Sequence, residues 1–132
     1  MNIYTFLSTF LPTPAPPTMT RRPTNTTVVS PNPAIFTCIA TGVPLPRISW
    51  MKGTSLTPLY TIDINTTITQ MTLDQSTLSS TLTLLHPLPD DAAEYFCLAS
   101  NEAGAEVASA VLTVHGTCMQ VWYAHCSIRL IE

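Results

Sequence analysis

A chain of 132 residues has room for one domain with short tails, and that length buries a true core. Charged residues make up 10% of it, with a net charge of −3 and Arg21-Arg22 as its one basic cluster. Phosphate recognition needs a basic patch, so no nucleic-acid partner is expected.

In chain order, the opening MNIYTFLSTFL holds an apolar run, IYTFL, broken by Ser8 and Thr9. It has no basic n-region, so it reads as a ragged start rather than a secretory signal. No stretch reaches the roughly 18 consecutive apolar residues of a membrane span. Residues 1–16 read as a Pro/Thr-rich leader or linker. The prolines of LPTPAPPTMTRRPTNTT (11–27) remove backbone donors and favour extended chain, which leads into an edge strand.

From Val28 onward the texture changes to short apolar alternations. AIFTCIA (34–40), RISWM (47–51), STLTLL (80–85), EYFCLAS (94–100) and ASAVLTV (108–114) are strand-length and rich in β-branched or aromatic residues. Turn formers separate them: TGVPLP, MKGTS, HPLPDD and NEAG. No long window repeats apolar residues at helical spacing. Short strands with no helices between them predict an all-β antiparallel sandwich or barrel, and the lack of internal repeats predicts one domain.

Alternation assigns faces, because successive side chains on a strand point to opposite sides. Phe36, Cys38 and Ala40 share one face, as do Ile48 with Trp50 and Leu82 with Leu84. In DDAAEYFCLASNEAG (90–104) the inward set is Tyr95, Cys97 and Ala99, followed by Ala110, Leu112 and Val114 on the last strand. This phase argues against a reactive cysteine. A nucleophilic thiol needs a partly exposed, electropositive setting, whereas Cys97 has acidic neighbours and an inward address. His86 falls in a turn, and His115 and His125 lie beyond the last strand. No carboxylate pair, phosphate loop or Ser–His–Asp set can be assembled, so no enzyme activity, cofactor, metal or small-molecule substrate is expected.

Two inward cysteines on different strands, with an inward tryptophan after the first, are a signature of the immunoglobulin sandwich. CIATGVPLPRISWMKG (38–53) resembles the B–C region of an intermediate-set (I-set) immunoglobulin domain. LTLLHPLPDDAAEYFCLASNEAGAEVASAVLTV (82–114) resembles its E–F–G region. The resemblance covers residues 17–114 and implies a two-sheet antiparallel sandwich with Greek-key connections, leaving 115–132 as a tail.

The resemblance also implies roles. Cys38 and Cys97 form a disulfide, and Trp50 packs on it. Tyr95 is the tyrosine corner, its hydroxyl bonded to the backbone upstream, and Asp91 caps that turn. Family members pair this aspartate with a basic residue opening strand D. Between Asp63 and Thr83 there is no Lys or Arg, so capping is the role that stays. Asp90 reads as a solvated turn residue rather than a calcium ligand. A disulfide places the chain in an oxidising compartment, and the sequons at Asn25 and Asn65 agree with an extracellular address.

The tail GTCMQVWYAHCSIRLIE leaves alternatives open. Cys118, His125 and Cys126 are too few for a closed zinc site. Cys118 and Cys126 pair with each other, or with another chain, or mark where a neighbouring module begins.

Domains of this kind resemble modules of cell-adhesion molecules, of matrix proteins such as hemicentin, and of receptor kinase or phosphatase ectodomains. The implied function is a non-catalytic extracellular module that binds another protein, homophilically or heterophilically, within a longer chain. The alternatives are a ligand-binding domain of a signalling receptor and an intracellular repeat of the titin kind. For the partner face, alternation turns Phe96, Leu98, Arg47, Met51, Val111 and Thr113 outward on strands of one sheet. The other sheet turns Ile35, Ile39 and Leu85 outward, but Asn65 lies near its strand D, where a glycan hinders docking.

Overall fold

The computed structural model describes residues 12–55, 58–60 and 64–116. Eight strands run in order: β1 (Ala15–Arg21), β2 (Thr26–Val29), β3 (Ala34–Val43), β4 (Arg47–Lys52), β5 (Thr66–Thr72), β6 (Thr77–Leu84), β7 (Ala93–Asn101) and β8 (Gly104–His115). A single 3₁₀ turn, Pro89–Asp91, precedes β7. They form two four-stranded sheets, β1-β3-β6-β5 and β2-β8-β7-β4. Among the described residues, only β5–β6 and β7–β8 are hairpins within a sheet. The other connections cross between sheets, which gives the Greek-key sandwich.

The core is the set of inward positions that alternation selects. Phe36, Cys38, Ala40, Trp50, Leu82, Tyr95, Cys97, Ala99, Ala110 and Leu112 are all essentially sealed from solvent. The alternation is plainest in β6, where Leu78, Ser80, Leu82 and Leu84 are buried between partly exposed Thr and Ser.

Three features differ from the sequence expectation. The proline-rich segment is not all linker: β1 begins at Ala15, inside the stretch assigned to the leader, and β2 follows. Both are edge strands, where a missing N–H leaves no ladder bond broken. β2 runs parallel to β8, from Thr26↔Leu112 to Val29↔His115, so the sandwich is not wholly antiparallel. And β5, the strand D that the resemblance implies, is announced by no apolar alternation, since in Thr66–Thr72 the one inward apolar residue is Ile68 and threonines, Gln70 and Met71 make up the rest.

Side chains close what the ladders leave open. Glu106 accepts the Met19 N–H at 2.6 Å and pairs with Arg22, so one carboxylate of β8 clasps β1 from the other sheet. Asn101 donates from Nδ2 to the carbonyls of Ala15 (2.8 Å) and Pro44 (2.9 Å). Its Oδ1 accepts the N–H groups of Ala103 and Gly104. It thus ties the β7–β8 turn, the β3–β4 loop and the start of β1 together at one pole. A Cβ at Gly42 would lie 3.0 Å from this amide nitrogen and 3.2 Å from the Ala15 oxygen, so the position has little room for a side chain.

Candidate interaction face

The frame of the site is rigid. Cys38 of β3 and Cys97 of β7 are joined by a disulfide between the sheets. Trp50 is fully buried and donates its indole N–H to Ser80 Oγ at 2.9 Å. Phe36 stacks on Tyr95 with ring centroids 5.5 Å apart. The Tyr95 hydroxyl donates to the Asp91 carbonyl at 2.8 Å, and Asp91 Oδ2 accepts the Leu88 N–H at 2.8 Å. Burial raises the Tyr95 phenol above its ordinary pKa, and the Asp91 charge adds to the effect.

Asp91 does more than cap. Lys52 Nζ lies 3.4 Å from its Oδ1, so the ion pair that strand D has no base to make is supplied from β4. Lys52 pairs with Tyr95 in the β4–β7 register, and its ammonium sits 6.0 Å from the phenol ring centroid on the way to Asp91. Nothing along the chain beside Asp91 names this partner, because Lys52 stands across the sheet from it. Both groups are about a third exposed, so the pair contributes modestly.

On this frame the outward face of β2-β8-β7-β4 is a lattice fixed by register. One row holds Ser49, Leu98 and Val107, and the next holds Met51, Phe96 and Ser109. Flanking rows hold Arg47, Ser100 and Ala105 at one end, and Glu94 with Val111 at the other. Met51, Phe96 and Leu98 are half-buried, while Val107 and Val111 are 50% and 45% exposed. Arg47 is exposed and, among the described residues, makes no ion pair. A shallow depression lined by Met51, Gly53, Ala93, Phe96 and Val107 opens where the chain turns after β4. Gly53 makes that turn with φ +61°, a conformation side chains resist.

The residues expected on this face therefore lie on it. Arg47 and Val111 stand at opposite ends of it. Val107 belongs there too, and the same alternation would have found it had the last strand been started at Gly104 instead of Ala108.

The family described as Immunoglobulin domain matches residues 16–101. The chain belongs to that family. It is 36% identical over 105 residues to mouse Peroxidasin homolog, which covers 80% of this chain and 6% of that protein. Human Hemicentin-1 is 33% identical over 99 residues, covering 75% of this chain and 2% of that one. Mouse Protein sidekick-2 is 34% identical over 99 residues, covering 74% and 4%. The chain thus spans a small part of the length of each relative.

Among solved structures, the Titin M10–Obscurin like 1 Ig complex is 32% identical with a TM-score of 0.66, covering 78% of this chain and 97% of that one. The tandem Ig repeats of Dlar are 30% identical with a TM-score of 0.65, covering 76% and 48%. Immunoglobulin domains are generally non-catalytic, and the peroxidasin likeness runs through such domains alone.

Within this immunoglobulin domain both sequon asparagines are exposed. Asn65 precedes β5 of the opposite sheet, its carbonyl accepting the Leu85 N–H. Asn25 precedes β2, and its Oδ1 accepts the Val111 N–H at 2.9 Å, so it stands at the edge of the candidate face. The opposite sheet is not free of apolar groups, with Ile35 56% and Met71 66% exposed, but threonine and serine fill most of its outward positions. Cys118, His125 and Cys126 lie outside the described residues.

Proposed function

We propose that this immunoglobulin domain is an extracellular recognition module, used in adhesion or matrix assembly, that docks a protein partner on the β2-β8-β7-β4 face. The observation that carries this reading is the apolar stripe of Met51, Phe96, Leu98, Val107 and Val111, bounded by Arg47 and Glu94. Apolar surface gathered on one face with aromatic, Met and Arg members has the composition of protein interfaces. The Cys38–Cys97 disulfide supports an oxidising compartment, and the exposed Asn25 and Asn65 fit a secreted, glycosylated chain. Relatives such as Hemicentin-1 and sidekick-2 favour the adhesion reading over a receptor's ligand-binding module.

The test is a Phe96→Asp/Leu98→Asp variant, displayed on cells or beads. It keeps the fold, because both side chains point away from the core, and it loses partner capture. Capture equal to the parent's sinks the face. An intracellular structural repeat, which the likeness to titin favours, predicts reduced thiols instead. Mass spectrometry of the native chain under non-reducing conditions separates the two.

A further inference from the structure

The lattice on the β2-β8-β7-β4 face has an internal symmetry. The Trp50–Cys97–Ala108 row is its midline. Reversing strand direction about that row exchanges position 98 with 96 and position 100 with 94. Phe96 then faces Leu98 of a second copy, and Met51 faces Ser49. On β8, Val107 faces Ser109 and Val111 faces Ala105. Outside the central Phe96–Leu98 pair, Met51, Val107 and Val111 each meet a small residue.

The charges obey the same operation. Arg47 stands in the row of Ser100, and Glu94 lies six positions along β7, about 20 Å away at the usual rise per residue. They are too far apart to pair within one chain. Reversal brings Arg47 over Gly53 of the copy, one strand from Glu94, since the Gly53 N–H donates to the Glu94 carbonyl. Both charges lie within reach across the interface, twice per dimer. A two-fold axis running along the strands instead would set Glu94 over Val111 and leave Arg47 without an opposite charge. Asn25, beside Val111 at the outer edge, stays on the perimeter.

We propose that the partner on this face is a second copy of the same chain. The two copies form an isologous pair with strands reversed about the Cys97 row, Phe96 and Leu98 at the centre and two Arg47–Glu94 pairs at the ends. This rests on the reading that the face is the docking surface, and it names the occupant. A two-fold interface is self-complementary by construction. Its central aromatic–aliphatic contacts carry the affinity, and its rim charges set register and salt dependence.

Charge reversal in the full chain tests it, by analytical ultracentrifugation and by aggregation of coated beads. Wild type self-associates at millimolar concentration, more weakly as salt rises. Arg47→Glu and Glu94→Arg each place two like-charged pairs in the homodimer and weaken association by about tenfold or more. Mixing the two single variants restores it, because each heterodimer again has two opposite pairs, and the double variant associates as wild type does. Single variants that dimerise like the parent, or a mixture that does not recover, overturn the proposed geometry. A wild type that stays monomeric while Phe96→Asp/Leu98→Asp abolishes capture of a different protein overturns the second copy and leaves the face standing. If that variant changes nothing either, the face itself is wrong.

Discussion

The indole of Trp50 and the hydroxyl of Ser80, one from each sheet, meet at 2.9 Å in the middle of a sealed core. Ser80 is also within 3.4 Å of Gln70 Nε2, whose amide donates to the Ile48 carbonyl, so a short polar chain threads the sandwich beside the disulfide. Ser80→Ala leaves the indole N–H without its partner where water cannot replace it. The expected cost is about 1–3 kcal/mol, read as a lower denaturation midpoint at unchanged m-value. A variant as stable as its parent would show that the bond contributes nothing net.

The disulfide encloses a long loop, Cys38 and Cys97 being 59 positions apart in sequence. In the chain-entropy model such a cross-link stabilises by roughly 4 kcal/mol, a large share of the ~5–15 kcal/mol of a typical domain. A Cys38→Ala/Cys97→Ala chain is expected to melt far below the parent, while Trp50 stays buried in whatever fraction folds. Equal melting temperatures refute this.

Tyr95 gives the fold an alkaline limit. Its phenol is raised from an ordinary 10.0 by burial first and the Asp91 charge second, so the folded state holds the proton more tightly than the unfolded one. The contribution is complete below about pH 10 and is lost as pH rises above it. Melting curves from neutral to strongly alkaline pH should show the parent falling steeply above that point. Tyr95→Phe should lack that part of the slope while starting lower at neutral pH, for want of the bond to the Asp91 carbonyl. Parallel curves would remove Tyr95 as the cause.

Glycan occupancy is expected at both Asn25 and Asn65 on secretion from eukaryotic cells. The Asn25 bond to Val111 uses Oδ1 and not the amide nitrogen that carries a sugar, so glycan and hydrogen bond coexist. Thr27→Val and Thr67→Val remove one sequon each while sparing the asparagines. Intact mass should drop by one glycan per variant, and an N-glycosidase that leaves the parent's mass unchanged would contradict both sites.

The core was legible before the structure because alternation is a property of each strand alone. Cys38, Trp50, Tyr95 and Cys97 each announce their side by their neighbours two positions away. What stayed hidden depends on pairs across strands. Lys52 finds Asp91 over a phenol ring. Asn101 ties three segments far apart in sequence. Glu106 reaches the other sheet. Nothing in the chain next to any of these names its partner. Alternation does not pick out strands β1, β2 and β5 for a related reason. At a sheet edge one face and one side are wet, so threonine and proline serve where alternation would otherwise demand apolar residues.

The parallel pairing of β2 with β8 has a mechanical meaning. Ala15 is held at the pole of the Asn101 turn, and β8 carries the chain to the opposite pole at His115. Tension between those poles slides β2 and β8 past each other along their own axes, so their hydrogen bonds are loaded together and not peeled one by one. Should that latch yield, the stretch enclosed by Cys38 and Cys97 cannot lengthen while the disulfide holds.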